Sequence, residues 1–316
     1  MLADIASHTH KVAARVIDVF GDGDTISDAE IFGFDYWPME LFKLKNKPAP
    51  AQLDGHIIIV TGAGSGIGRG VALELGKRGA HVVLADIEEK GLLEVEKEFA
   101  ENKCNPPLLV LGDQSKEADV QATVTKTIKH FGGLDGAVIN AGIGISDKLE
   151  DLDVEKWRRG LDINLTSAFM LTKEAMKVLR KQKMGGSIVY IASKNAFAPG
   201  AGFGGYSVSK AGMLQLMRIA ALEGGSAGIR FNGINPDAVF DNSKLWEGGI
   251  REQRAAAHGV KPEELEDFYA SRNLLNARVR SLDVARAAAF FLSDESSRTT
   301  GSVIAVDGGV AAAFPR

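Results

Sequence analysis

Cysteine is almost missing from this chain: Cys104 is the only one in 316 residues. A single thiol excludes an internal disulfide and suits a reducing compartment, so the expected location is cytoplasmic. Positive charge is not in excess either. The formal net charge is −4, which removes the basic surface that nucleic acid needs. No apolar run approaches the roughly 20 residues of a membrane span. Early charges at Asp4, Lys11, Arg15 and Asp18 leave no secretory core. Neither nucleic acid nor membrane is therefore expected as a partner. Metal-ligand clusters are also lacking. His8 and His10 have no companion ligands nearby, and Asp22 and Asp24 lack the later Gly and Glu of a calcium loop. No metal is expected. What is present, 45% hydrophobic and 25% charged residues, is the composition of an ordinary globular protein. The length suits one large or two small domains.

The chain divides near residue 52. Residues 1–52 read as an N-terminal extension and linker. Ile5 to Phe20 has the pattern of a short amphipathic helix, broken by the glycines at 21 and 23. Ser27 and Glu30 have the spacing of a capping box. Phe34, Tyr36, Trp37 and Phe42 make an aromatic run that is expected to pack on the main domain or on a partner subunit. Pro48 and Pro50 mark the linker.

Residues 53–316 are regular. Short β-branched or apolar runs at 56–60, 80–85, 108–111, 134–139, 187–191, 229–235 and 303–306 predict strands. Between them, helical periodicity runs over 69–78, 88–101, 116–131, 154–180, from 206 onward and over 281–292. Strands alternating with helices predict an α/β fold with a parallel sheet. The polar stretch 240–276 interrupts this alternation, with Pro262 opening a helix, and reads as a lid.

Four places carry chemistry. The first is TGAGSGIG at 61–68, between a strand and a helix. Gly62, Gly66 and Gly68 let the backbone turn tightly and approach a pyrophosphate at a helix N-terminus, with Ser65 and Ile67 in the same loop. The second is Asp86, ending the next strand, where a carboxylate accepts from a ribose diol and repels a 2′-phosphate. Neither Ser65 nor Ile87 is a cation. Arg69 is the exception to weigh, so NAD is expected over NADP. The third is a set of strand exits: Asp113 and Gln114, where Asp113 caps the adenine edge, then Asn140, Ala141 and Gly142, and finally Pro236, Ala238 and Val239.

The fourth place is Ser193, just past a strand, followed by Tyr206 and Lys210. The last two are four residues apart and share a helix face. A free tyrosine has a pKa of about 10, and an ammonium beside it favours the phenolate. Asn164 is unusual inside a helix. Either it is a satisfied core amide or it interrupts the helix to hold a water.

Together these residues resemble the short-chain dehydrogenase/reductases over about 54–309, in order and spacing, ending in VDGG at 306–309. The resemblance implies a Rossmann fold: a doubly wound, seven-stranded parallel sheet with helices on both faces. It implies a nicotinamide cofactor and a tetrad of Asn164, Ser193, Tyr206 and Lys210. In that tetrad Tyr206 is the acid/base and Ser193 holds the substrate oxygen. Lys210 binds the nicotinamide ribose and lowers the tyrosine pKa, and Asn164 holds a relay water. It also implies a homotetramer or homodimer. One departure is Asp237, where the family usually has glycine after proline. Asp237 and Asn195 are candidate substrate contacts.

Residues 35–44, 235–240, 244–269 and 307–316 are similar to the dehydrogenase half of bifunctional class II aldolase/short-chain dehydrogenases, some of which oxidise lactaldehyde. The chain has no room for an aldolase domain and lacks its zinc-histidine cluster. An aldolase domain or subunit is thus an expected partner. The leading expectation is an NAD-dependent oxidoreductase acting on a small polar alcohol, carbonyl or hydroxy-aldehyde: lactaldehyde, a sugar or a polyol. The alternatives are a non-catalytic dinucleotide-binding module and an aldolase-docking subunit.

Overall fold

Seven short strands, the central ones largely buried, pair into one parallel sheet. The computed structural model describes residues 42–43 and 49–314. The expected helix at 5–20, the capping box at 27–30, and His8, His10, Asp22 and Asp24 lie outside them, as does all of the aromatic run except Phe42. The sheet and its helices belong to the unit that begins at Ala51.

The strands are β1 (Ile57–Thr61), β2 (His81–Asp86), β3 (Leu108–Leu111), β4 (Gly136–Ile139), β5 (Gly186–Ile191), β6 (Ile229–Pro236) and β7 (Val303–Val306). Their order in the sheet is β3-β2-β1-β4-β5-β6-β7, and every pairing is parallel. The order reverses between β1 and β4. The strand ends diverge there, and an open α/β sheet binds its ligands in that crevice.

Nine α-helices are described: α1 (Gly66–Lys77), α2 (Glu89–Glu101), α3 (Glu117–Phe131), α4 (Val154–Leu161), α5 (Ser167–Gln182), α6 (Gly204–Gly224), α7 (Ile250–His258), α8 (Leu265–Ser271) and α9 (Ser281–Leu292). The sheet is buried on both faces. On one, Val71, Leu75, Val95, Phe99, Val284 and Phe291 from α1, α2 and α9 cover it. On the other, Val120, Leu171, Leu179, Met213 and Met217 from α3, α5 and α6 do so. Continuous apolar strands such as IIIV in β1 are what two covered faces require.

Two expected boundaries move. The first helix begins at Gly66 rather than Arg69, so the end of the glycine loop is already its first turn. The long helix expected over 154–180 is split. A π-turn at Asp162–Thr166 separates α4 from α5 and carries the buried Asn164. An extra residue in a helical turn re-aims the side chains around it, and periodicity alone does not show it.

The lid is not one helix. Residues 240–276 hold α7, α8 and short 3-10 turns at Lys244–Trp246 and Pro262–Glu264. They enclose a small core of their own around Ala255, Leu265 and Tyr269, against which Phe240, Trp246 and Phe268 pack. Phe240 and Trp246 stack with centroids 4.2 Å apart. The Trp246 indole N–H donates to the Val239 carbonyl at 2.7 Å.

Candidate active site

At the carboxyl ends of the strands a cleft of about 600 Å³ runs from the glycine loop to the lid. Of the sequence-predicted residues, Gly62, Ser65, Gly66, Ile67, Asp86, Ile87, Asp113, Gln114, Asn140, Ala141 and Gly142 line its first half. Ser193, Asn195, Tyr206, Lys210, Pro236, Asp237, Ala238 and Val239 line the second. Gly68 and Asn164 do not reach it.

The glycine loop is held from three sides. Thr61 Oγ1 accepts from the amides of Asn140 and Ala141 at 3.0 and 3.1 Å. Asn140 Nδ2 donates back to the carbonyls of Thr61 and Gly62. Asn140 therefore clamps the loop that it was expected to help bind cofactor. A Cβ on Gly68 would stand 2.0 Å from the Gly62 carbonyl oxygen, so the third glycine is there for packing. Gly62 and Gly66 have φ of 64° and 50°, which an L side chain rarely adopts. The Ser65 side chain does not cap α1. The Gly66 amide donates to the Asn242 carbonyl of the lid at 2.7 Å.

Asp86 ends β2 beside this loop. One carboxylate oxygen accepts from the Gly64 amide at 2.9 Å and the other from Glu88 N at 3.0 Å. Burial nevertheless pushes its pKa up, while Gly64, the Ile87 amide and Lys244 pull it back. Arg69 is not a stray cation at this site, because it is paired with Glu98 and Glu94. The cation that sequence reasoning missed is Lys244. It comes from the lid, lines the cleft and pairs with Glu88. Asp113 accepts from the Ser115 amide and hydroxyl, which lower its pKa.

In the second half, Tyr206 and Lys210 are 7% and 3% exposed on α6, and Ser193 sits past β5 at 6%. Lys210 Nζ donates to the Ile191 carbonyl at 2.8 Å and lies 5.7 Å from the centre of the Tyr206 ring. The expected lowering of the tyrosine pKa is not what the protein alone produces. Burial pushes Tyr206 up to about 12, the Ser193 hydroxyl pulls it down, and Asp237 adds to the rise. Burial takes Lys210 down to about 8. Burial is the leading cause of both shifts, because each charged form is desolvated. Two units on the phenol correspond to roughly 3 kcal/mol against the phenolate.

Asn164, fully buried, braces this end from behind. Its Oδ1 accepts from the Ile143 amide at 2.8 Å, and Nδ2 donates to the Ile143 carbonyl and to Ser209 Oγ, both at 3.0 Å. Both Nδ2 hydrogens are used, so a water here has only acceptors to bind. The two sequence readings of Asn164 meet: it is a satisfied core amide, and it sits where the helix is interrupted.

The residues fit a dinucleotide. The loop holds Gly62 and Gly66 in left-handed conformations at an uncapped helix start, and the Asp86 carboxylate stands at the end of the next strand. A Cβ on Gly142 would crowd Asn164 Oδ1 at 3.1 Å and Lys210 Nζ at 3.5 Å, so its bareness keeps that wall open.

Residues 62–311 match a protein-family model described as enoyl-(acyl carrier protein) reductase. Levodione reductase of Leifsonia aquatica is 30% identical over 82% of this chain and 95% of its own. Its crystal structure superposes with a TM-score of 0.76, covering 83% of this chain and 100% of that one. This chain belongs to the short-chain dehydrogenase/reductases.

It is thus an oxidoreductase of that family, acting on CH–OH groups or their carbonyl counterparts with a nicotinamide cofactor. The Bacillus subtilis protein named uncharacterized oxidoreductase YuxG is 36% identical over 92% of this chain. This chain spans only 42% of that relative's length. Glucose 1-dehydrogenase 2 of the same organism is 30% identical over 82% of the chain and 96% of its own.

Sequence reasoning also missed Phe203, Trp246, Arg254 and Tyr269, which line the cleft, and the neighbouring Lys194. Lys194 follows Ser193 directly, and that adjacency was the one available signal. Arg254 lies among the many charges of the lid, and nothing in the sequence separates an inward arginine from an outward one.

Proposed function

We propose that this protein is an NAD-dependent dehydrogenase/reductase of small polar hydroxy compounds, with lactaldehyde, sugars and polyols as the first candidates. The observation that carries this reading is the convergence of Ser193, Tyr206 and Lys210 at one end of a cleft whose other end is the glycine loop and Asp86. Bound there, nicotinamide supplies the hydride-accepting carbon and, when oxidised, a positive charge. Tyr206 takes the hydroxyl proton from the substrate, or returns it, at the phenolic oxygen. Ser193 donates to the substrate oxygen. Lys210 holds the nicotinamide ribose, and Asn164 fixes the backbone at Ile143 and the α6 turn at Ser209. Positioning by these groups supplies much of the rate.

NAD rather than NADP is favoured because Asp86 presents a carboxylate beside Gly64 and the nearby Lys244 is matched by Glu88. A small, polar substrate is supported by Lys244, Glu247, Arg254 and Tyr269 on the lid side of the cleft, beside the apolar Leu245, Trp246 and Ile250. Glucose 1-dehydrogenases among the relatives support a polyhydroxy substrate.

The kinship to bifunctional aldolase/dehydrogenases is kept as part of the proposal on the sequence stretches at 35–44, 235–240, 244–269 and 307–316. A homotetramer or homodimer, an aldolase partner and a cytoplasmic setting complete the proposal.

The test is NADH formation at 340 nm, with NAD and NADP run separately against lactaldehyde, short sugars, polyols and secondary alcohols. Turnover with NAD of any of these supports the reading. Activity confined to NADP, or to apolar alcohols, contradicts it.

A further inference from the structure

Arginine is seldom buried without a carboxylate partner. Arg254, on the lid helix α7, is 7% exposed and lines the cleft. Its partners among the described residues are neutral. Nη1 donates to the Ala201 carbonyl at 3.2 Å, and Nη2 lies 3.0 Å from His258 Nε2. The guanidinium also stacks over Phe203, 5.2 Å from the ring centre.

The surroundings do not supply the missing charge. Asp237 is countered by Lys194 and Arg272. His258 is held neutral, its pKa lowered to about 4 by burial and by Arg254, Arg272 and Lys194. Lys194 is buried at 8% exposure and feels Arg254 as a like charge. Of these three cations, Arg254 is the one that lines the cleft.

Distance to the reacting end is short. Phe203 touches both groups: its ring centre is 4.6 Å from that of Tyr206 and 5.2 Å from the Arg254 guanidinium carbon.

We propose that Arg254 is the anion-binding residue of the substrate site, and that the preferred substrate is a short hydroxy acid or its oxo-acid counterpart. Its hydroxyl faces Ser193 and Tyr206, and its carboxylate takes the planar fork of Arg254 in two parallel hydrogen bonds. This rests on the dehydrogenase reading above and narrows its substrate class. The oxidation moves the hydride from the carbinol carbon to NAD and the proton from the hydroxyl to Tyr206, and leaves the carboxylate unchanged.

Two measurements on the full chain with saturating NAD test this. The first is thermal stabilisation by malonate and, separately, by inorganic phosphate, in the wild type, Arg254→Met and Arg254→Lys. Malonate is expected to stabilise the wild type saturably, the lysine variant more weakly and the methionine variant not at all. The lysine variant keeps the charge and guards against a mere folding defect. No saturable effect of malonate, an equal effect on all three proteins, or stabilisation by phosphate alone overturns the carboxylate site.

The second is turnover of matched pairs: lactate against 1,2-propanediol, and 3-hydroxybutyrate against 1,3-butanediol. The acid of at least one pair is expected to exceed its neutral partner at least tenfold in kcat/KM. That ratio should fall at least tenfold in Arg254→Met, mainly through KM. A preference for the neutral partners, or a ratio unchanged in the variant, overturns the proposal. Malonate binding through Arg254 without turnover of any pair would uphold the anion site and count instead against the dehydrogenase reading of the substrate.

Discussion

Between β1 and β3 most charged groups of the cleft have partners: Asp86 with two amides, Glu88 with Lys244, Asp113 with Ser115. Under the lid the picture differs. Lys194 and Arg254 are buried without a carboxylate in contact, Asp237 Oδ2 is buried with no hydrogen-bond partner, and Tyr206 and Lys210 are both pushed toward their neutral forms. The first half is largely satisfied by its own groups, with Gln114 Oε1 the buried atom left without a hydrogen-bond partner among the described residues. The second half holds Lys210 and Arg254 on neutral partners without a carboxylate in contact, and the proposed substrate and nicotinamide would meet them there. A site that spends its hydrogen bonds on itself has fewer left for chemistry.

This contrast can be broken by substitution. The largest effect is expected from Leu265→Ala, which empties the centre of the lid's own small core, where Leu265 is fully buried. A buried leucine cut to alanine loses roughly 2–5 kcal/mol of packing. The substrate KM should rise more than tenfold, while NAD affinity measured by fluorescence titration stays within about twofold. Equal losses in both would show that the halves are not separable.

The next is in pH. Lys210 titrates at about 8 in the folded protein against an ordinary 10.5. Between those values the unfolded chain binds more protons than the folded one, so this lysine makes stability rise with pH in that window. Replacing Lys210 by Met should flatten the rise in Tm between pH 8 and 10. An unchanged slope would remove Lys210 from the account of buried, unpaired charge.

In the cofactor half, Asp86→Ala should reduce the preference for NAD over NADP about tenfold, an effect of about 1.4 kcal/mol. Unchanged discrimination, read from the two KM values, would place the adenosine elsewhere. The smallest effect belongs to Lys244→Ala. Its ion pair with Glu88 is nearly half exposed on both sides, and such pairs are worth about 0–1 kcal/mol. The Kd for NAD is expected to change less than about fivefold. A larger loss would make Lys244 a direct cofactor ligand.

The same contrast explains what could be read from the sequence. The strands and the glycine loop are local: a β-branched run such as HIIIV at 56–60 has one way to be buried, and the glycines beside it have few reasons to be there. Ser193, Tyr206 and Lys210 were visible through their order along the chain. Asn164 stood out as an amide in a helix, but the π-turn that holds it is a tertiary compromise with Ile143 and Ser209, far away in sequence. The upward push on Tyr206 in the protein alone was not legible, because spacing reports a neighbour's charge and not burial. Arg254 was invisible for the related reason that a lid's inner and outer faces share one composition.

The most direct measurement is Tyr206→Phe with the substrate that the wild type turns over best, following NADH in stopped flow alongside NAD affinity. Removing the proton-transferring group is predicted to lower kcat by roughly 10²–10⁴-fold or more, with NAD affinity within about twofold. Turnover retained near the wild-type rate would contradict the assignment of Tyr206, and with it the account of the buried, unpaired half of the cleft as the reacting end.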